Sequence, residues 1–162
     1  MIDFATLLTL CQALAVSFMA AWLTIGVYEN IRHPDINRVF TSEVLDLARL
    51  REAYPEVYAD VQHRRIANQR MQHGLFYLIV SAELLATVLL WTGAISLFLG
   101  TQTAPVFALL GVMSFTTIWA GFLIAGNWFC YWFCHEGAQN THYQMLLWGL
   151  ATLIFLVVGQ GV

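Results

Sequence analysis

Four apolar stretches, each of roughly 20 residues, constrain the fold of this chain more than any other feature of its sequence. They span residues 4–28, 75–99, 105–125 and 143–159. A helix needs about 20 apolar residues to cross the hydrocarbon core of a bilayer. Charged residues make up only 10% of the chain, against about 25% in a typical soluble domain. The sequence therefore predicts one all-α integral membrane domain over residues 1–162, built as a bundle of four transmembrane helices.

The distribution of arginine predicts how this bundle is oriented. The chain has seven basic side chains, all of them arginines, and all lie between residues 29 and 72, in the loop between the first two spans. Short loops rich in Arg or Lys stay on the cytoplasmic side. This loop is therefore expected to be cytoplasmic and both termini periplasmic. The amino-terminal "MIDFATLL" has no basic residue, so the first stretch is interpreted as a retained span rather than a cleaved signal.

The same loop is expected to fold. Apolar residues recur in it at helical spacing, namely Val44, Leu45, Leu47 and Leu50. Ser42 precedes them as a candidate helix cap, and Pro55 ends or restarts the helix. This pattern predicts one or two amphipathic helices on the membrane surface. Acidic residues balance the arginines here, which excludes nucleic acid as a partner and favours contacts within the loop or with another protein over contacts with lipid charge.

Small residues predict where the spans approach one another, because close packing in lipid relies on small side chains at four-residue spacing. Each of the first three spans offers such a pattern: Ala13, Ser17 and Ala21; Ala82 and Ala86; Gly121 and Ala125. The faces that carry them are expected to pack in the bundle.

Glu83 is the least expected residue, because it lies in "YLIVSAELLATVLL", roughly 15 Å from the cytoplasmic end of the second span. An ionisable group at this depth is costly and usually faces the bundle interior. One interpretation is a carboxyl group that exchanges a proton, binds a cation or contacts a quinone-like headgroup. The other is a protonated glutamate bonded to a Ser, Thr or Trp of a neighbouring helix. No Arg or Lys lies in a span to pair with it, and both interpretations stay open.

Two cysteines and two histidines in "NWFCYWFCHEGAQNTH", residues 127–142, raise the question of a metal or haem site. Cys130, Cys134, His135 and His142 could together supply four zinc ligands. The spacing C-x-x-x-C-H has one residue more than the C-x-x-C-H of c-type haem attachment. His73 and His142 begin spans two and four on one side, which leaves b-type haem as an alternative. We expect neither a metal nor a cofactor.

The rings of this tract have a simpler explanation, since Trp and Tyr are enriched where a bilayer meets water. Nothing between Gly126 and His135 is a strong helix breaker, which allows the third helix to continue through the tract. Its polar end could form the mouth of a pocket with the loop. The candidate ligand or proton residues are Glu83, Trp128, His135, Glu136, Gln139 and Asn140, and the candidate loop or partner contacts are Asp35, Asn37, Phe40 and Asp46.

Three segments carry a resemblance to a known family: "DINRVFTSEVLDL", "YLIVSAELL" with Glu83, and "GFLIAGNWFCYWFCHEGAQNTH". Along nearly its whole length, from about residue 7 to 156, the chain resembles the small integral membrane proteins grouped as domain of unknown function 2165. It departs from their pattern at Asn127, where an acid is usual before Trp-Phe, and in "CHEGAQN". The resemblance implies a bacterial four-helix membrane protein and no particular activity.

No catalytic motif is evident, so the chain is predicted to be non-enzymatic, without catalytic residues. The leading hypothesis is an accessory or assembly partner of a larger complex in the bacterial inner membrane, or a homo-oligomer. The alternative is a ligand-handling or proton-coupled protein that uses Glu83. A second alternative is a redox subunit with b-type haem.

Overall fold

The computed structural model describes residues 3–159, which fold into eight α-helices and no strand. In chain order they are α1 (Phe4–Arg32), α2 (Pro34–Leu45), α3 (Ala48–Ala53), α4 (Pro55–Val61), α5 (Gln69–Phe98), α6 (Ala104–Trp128), α7 (Tyr131–Cys134) and α8 (Glu136–Val158). A 3₁₀ turn, Gln62–Arg64, follows α4. Four helices, α1, α5, α6 and α8, are long and apolar enough to cross a membrane. The predicted all-α bundle of four membrane-spanning helices is therefore confirmed.

The four long helices pack in chain order, with α5 between α1 and α6, and α8 against α6. Each extends past its predicted apolar stretch at the same end of the bundle, where the chain between α1 and α5 also lies. We call this the loop end. Aromatic rings of α1, α6 and α8 pack against one another: Trp22 lies 5.5 Å from Trp119, and Phe115 lies 5.8 Å from Trp148, between ring centroids. At the opposite end, Gln12 donates a hydrogen bond of 3.2 Å to the Phe155 carbonyl, which joins α1 to α8.

Two glycines bring the backbones of α5 and α6 together. A Cβ built on Gly93 would lie 2.5 Å from Ala108 Cα, and one on Gly111 would lie 2.7 Å from the Leu90 backbone nitrogen. Neither position has room for a side chain. Of the predicted packing residues, Ala13 and Ala86 are buried, but Ala21, Gly121 and Ala125 are exposed. At 100° per residue Gly121 points about 200° away from the buried Trp119, so its face lies outside the core.

The loop between α1 and α5 contains three short helices, one more than the largest number predicted. Ser42 lies inside α2 and does not cap a helix, because Pro34 already starts that helix at its first position. Leu47 has φ 53°, a left-handed conformation that ends α2 and turns the chain into α3. The four predicted apolar residues, Val44, Leu45, Leu47 and Leu50, are all buried together. Pro55 begins α4 after α3 ends, as predicted.

The third long helix does not continue through the aromatic tract, and the expectation that it could was wrong. Cys130 has φ 57°, which ends α6, and the four-residue α7 follows. This turn places Phe129, Cys130 and Tyr131 in the apolar cluster formed by the loop helices. A Cβ on Gly126 would lie 2.6 Å from the Tyr131 ring, so the ring packs where only a glycine leaves space. The predicted position of these rings where the bilayer meets water fits the exposed Trp128 but not the buried Phe129 and Tyr131.

Candidate functional site

A cavity of about 400 Å³ lies at the loop end of the bundle, between α1, α5, α6 and α8, with α2 and α7 beside it. This volume is within the usual range for small-molecule sites, about 300–1,000 Å³. Six lining residues are polar: Asn30, Asn37, Thr41, Glu83, Thr141 and His142. Six are aromatic: Trp22, Phe40, Phe76, Trp119, Phe122 and Tyr131. The cavity thus combines apolar walls with a few convergent polar groups.

A chain of side-chain hydrogen bonds crosses one wall of the cavity. Asn37 Nδ2 donates to Asn30 Oδ1 at 2.7 Å, and Asn30 Nδ2 donates to Glu83 Oε2 at 2.8 Å. Glu83 is only 6% exposed. Its second oxygen, Oε1, accepts no hydrogen bond from the described residues. The chain therefore ties α2 and α1 to α5 and leaves one carboxyl oxygen of Glu83 for another partner.

Helical periodicity puts these residues at the cavity. The buried residues of α5 follow a spacing of three or four, and Glu83 is one of them: Gln72, Phe76, Val80, Glu83, Thr87 and Leu90. On α1 the buried residues Leu23, Val27 and Asn30 follow the same spacing. Residues three or four apart share one helix face. Glu83 and Asn30 therefore point inward because each occupies a position on the core-facing side of its helix.

Two further polar atoms lie beside the cavity without a partner among the described residues. They are Trp119 Nε1 and His142 Nδ1, and both are buried. The imidazole of His142 stacks on Phe122 with ring centroids 4.6 Å apart and lies 5.4 Å from the Trp119 ring. A buried donor without a partner costs about 1–3 kcal/mol. Both residues line the cavity, and the two nitrogens are covered by neighbouring atoms, so a bond to a molecule there would need a small rotation of these side chains.

Tyr131 closes the side of the cavity formed by α7. Burial raises the pKa of Tyr131 to about 12, so its phenol stays protonated at neutral pH. The ring lies 5.9 Å from His142 and 5.5 Å from His135, between centroids. The left-handed turn at Cys130 is what brings this ring back to the bundle. The aromatic tract therefore contributes to the cavity through Tyr131.

The structure brings together three of the candidate residues taken from the sequence. Glu83, Asn37 and Phe40 all line the cavity, although they come from different parts of the chain. His135 lies just behind them, 7% exposed, with its ring 5.1 Å from Phe40. Burial lowers the pKa of His135, and the positive charge of Arg49 lowers it further. His135 is thus a packed, neutral side chain at the site's edge.

The other candidates of the tract lie away from the cavity lining. Glu136 and Asn140 are exposed and Gln139 is half-buried. Trp128 is 54% exposed, and the Arg64 guanidinium lies 4.9 Å from its ring centroid. The start of α8 instead contributes Gly137, Ala138, Thr141 and His142.

The two acidic loop candidates form ion pairs within the loop. Asp46 accepts hydrogen bonds from Arg65 at 2.6 Å and Arg51 at 3.4 Å. Asp35 pairs with Arg38 of the same helix. These exposed pairs contribute little to stability individually. They balance the charge of the loop by contacts within the loop, and the charge pattern favours such contacts or contacts with another protein.

The cysteines and histidines of the tract do not gather into a ligand set. Among residues 3–159, no group of three or more His, Cys, Asp or Glu side chains is placed to hold a metal ion. Burial raises the pKa of the Cys134 thiol, which disfavours the thiolate that a metal needs. His142 lines the cavity described above, whereas His73 lines a second cavity of about 440 Å³ in the loop. The two histidines therefore face different spaces.

Sequence reasoning missed Asn30, Trp119 and Thr141 as parts of the site. Asn30 had a readable signal, since it continues the buried stripe of α1 at a spacing of three from Val27. Trp119 and Thr141 carried none, because a tryptophan in a span and a threonine in a polar run are both common. Their role depends on how α6 and α8 pack.

Comparison with known proteins agrees with this architecture. The family described as predicted small integral membrane protein (DUF2165) matches residues 8–159. The chain belongs to this family. Neither the curated proteins nor the solved structures contain a match to the chain. For this DUF2165 protein, functional inference therefore rests on the residues of the cavity.

Proposed function

We propose that this DUF2165 protein is a non-enzymatic membrane protein that binds a small molecule in the cavity at Glu83. The observation that supports this most is a set of unused polar atoms on three residues that line one cavity. Glu83 Oε1, Trp119 Nε1 and His142 Nδ1 come from three helices and have no partner among residues 3–159. If Glu83 had a purely structural role, both of its carboxyl oxygens would be expected to have hydrogen-bond partners within the bundle. Aromatic walls would supply the apolar contact area.

The arginine-rich loop also supports a location and an orientation for the protein. The arginine-rich loop would lie in the cytoplasm and both termini in the periplasm of a bacterium, with the protein in the inner membrane. Asn37 and Thr141, which line the cavity at the loop end, are exposed. A ligand would then enter from the cytoplasmic side. Single cysteines at Glu56 and Thr101, introduced into a chain without its native cysteines, test this by labelling with an impermeant maleimide. Labelling of the Thr101 cysteine alone in intact cells is expected, and labelling of the Glu56 cysteine alone would reverse the orientation.

The cavity can be filled at Gly26, which makes the binding proposal testable. Gly26 lines it, and a Cβ at this position meets no atom within 4 Å. Gly26→Leu should occupy the space without disturbing the helices. Gly121→Leu is a control, since Gly121 is also helical and free of neighbours within 4 Å, but is exposed and lies outside the cavity.

The measurement is a thermal-shift screen of small polar and amphipathic molecules with protein purified in dodecyl maltoside. A molecule that binds the native state raises the unfolding temperature. We expect at least one molecule to stabilise the original protein and Gly121→Leu but not Gly26→Leu. If every stabilising molecule acts equally on Gly26→Leu, the cavity is not the binding site.

The accessory role predicted from the sequence is a second candidate, supported by an apolar surface outside the four long helices. Ile36 and Val39 of α2 are 66% and 54% exposed. Exposed apolar pairs of this kind suit contact with another membrane protein. Ile36→Ser with Val39→Ser should abolish co-purification of a defined partner while leaving the unfolding temperature unchanged. Purification of the original chain as a partner-free monomer would count against this role.

A further inference from the structure

We infer that the ligand of this cavity is an organic ammonium compound that also carries a hydrogen-bond acceptor close to its charge. The inference rests on the proposed function and names the chemistry of the molecule that the site would hold. Three features of the cavity support it: its single carboxyl group, its aromatic walls, and the unpartnered Nε1–H of Trp119.

An ionised Glu83 would have no charged partner in the cavity. Glu83 is its one carboxyl group, and no arginine is among the lining residues, while the chain has no lysine. The nearest polar partner of Glu83 is the neutral amide of Asn30, at 2.8 Å. A carboxylate inside a bundle is normally paired. A ligand with a positive charge beside Oε1 would supply the missing partner.

The walls suit an ammonium group more than a metal ion. Trp22 and Trp119 meet edge to face with centroids 5.5 Å apart, and both line the cavity with Phe122 and Tyr131. The faces of aromatic rings attract ammonium cations, and rings around a carboxylate are a common way to hold them. A metal ion would instead require several oxygen, nitrogen or sulfur ligands. Among the described residues no three or more His, Cys, Asp or Glu side chains are placed to hold a metal ion.

The unpartnered Nε1–H of Trp119 calls for an acceptor on the ligand. Trp119 is 6% exposed, and its Nε1–H can only donate. A cation alone would leave this donor without a partner. An oxygen near the ammonium group, as in an amino alcohol or its ester, would satisfy Trp119 Nε1 while the charge lies against Glu83. His142 Nδ1 could bond the same oxygen.

Three probes separate these two elements of recognition. Choline carries both the charge and the hydroxyl oxygen. Its neutral analogue 3,3-dimethylbutan-1-ol keeps shape and hydroxyl without charge, and ethyltrimethylammonium keeps the charge without the hydroxyl. Binding is measured by calorimetry and by tryptophan fluorescence with protein in dodecyl maltoside. We expect choline to bind about tenfold more tightly than either analogue.

Variants assign the effect to residues. Glu83→Gln keeps the size of the side chain and the acceptor for Asn30. This variant should bind choline no more tightly than it binds the neutral alcohol. Trp119→Phe keeps an aromatic face but removes the donor, so the preference for choline over ethyltrimethylammonium should be lost. The preference for choline over the neutral alcohol should remain. Gly121→Leu should bind like the original protein, which controls for handling in detergent.

The ammonium group could come from a free amine or from a lipid headgroup, and mixed micelles distinguish these sources. Displacement of choline by dioleoylphosphatidylcholine but not by dioleoylphosphatidylglycerol would identify a headgroup, and displacement by neither would identify a free amine. Both results support the inference. Equal affinity for choline and the neutral alcohol would overturn it while leaving a ligand site in place. Absence of any Gly26-dependent binding in the wider screen would instead remove the proposed function itself.

Discussion

Asn30 of α1 and Glu83 of α5 are joined by a hydrogen bond of 2.8 Å, across 53 residues of sequence. Both side chains are less than a tenth exposed. Asn30 also accepts from Asn37, so one amide links the loop helix α2 to two long helices. This contact holds the carboxyl group of Glu83 in place and fixes the position of the loop over the cavity.

The Asn30 and Glu83 side chains should therefore be energetically coupled. In a cycle of Asn30→Ala, Glu83→Ala and the double variant, we expect a coupling free energy of about 0.5–3 kcal/mol. The reason is that either single change leaves a buried polar group without its partner. The measurement is unfolding by SDS in mixed micelles. Ser81→Ala is the control, since Ser81 is an exposed residue of α5 bonded to its own helix, and its coupling to Asn30→Ala should be near zero.

Gly93→Ala should destabilise the bundle strongly, because the added Cβ would meet the backbone of Ala108 and not a movable side chain. Overpacking of a core typically costs about 1–3 kcal/mol, and backbone contact places this site at the upper end or beyond. Gly74→Ala, on the same helix with no atom within 4 Å of its Cβ, should be neutral or stabilising by up to about 1 kcal/mol. Equal unfolding temperatures for the two variants would show that α5 and α6 do not approach as described.

The turn at Cys130 predicts an unusual order of substitutions. Its φ of 57° favours glycine and disfavours β-branched residues. Cys130→Val should be less stable than Cys130→Gly by about 1–2 kcal/mol. At Cys11, an exposed position inside α1, the order should reverse, because glycine weakens a regular helix. Comparing the four unfolding free energies tests the turn. If Cys130→Val were more stable than Cys130→Gly, as expected for the same pair at Cys11, α6 would continue past Cys130.

How far the sequence predicts this molecule depends on the range of the interaction concerned. Apolar length and helical spacing are local properties, so the four long helices, the restart at Pro55 and the inward position of Glu83 were predictable. The breaks at Leu47 and Cys130 were not, since both residues adopt a conformation normally taken by glycine. Their side chains are buried in one cluster built from distant segments, and that burial offsets the local cost.

For the candidate site, too, local properties were predictable and contacts between distant segments were not. Glu83 could be singled out because a carboxyl group in a span is costly wherever the helix packs. The sequence predicts Asn37 and Phe40 only as loop contacts, and the folded chain puts them beside Glu83. Trp128 and Asn140 were chosen for their polar or aromatic chemistry within one tract. Trp128 is exposed at the end of α6, and Asn140 is exposed on α8 although its neighbour Thr141 lines the cavity. Which face of each helix meets the cavity depends on how the helices pack, which no local pattern indicates.

Stability should fall in acid partly through His135. Its pKa lies below the ordinary value of 6.5 because the ring is buried and Arg49 repels a proton, while Glu43 opposes this more weakly. The unfolded chain therefore binds a proton that the folded chain does not, so stability is lost as the pH falls through the unfolded pKa towards the folded one. We expect His135→Gln to show a smaller loss of unfolding free energy between about pH 7 and pH 5 than the original protein. Parallel curves for His135→Gln and the original protein would show that His135 is protonated alike in the folded and unfolded states.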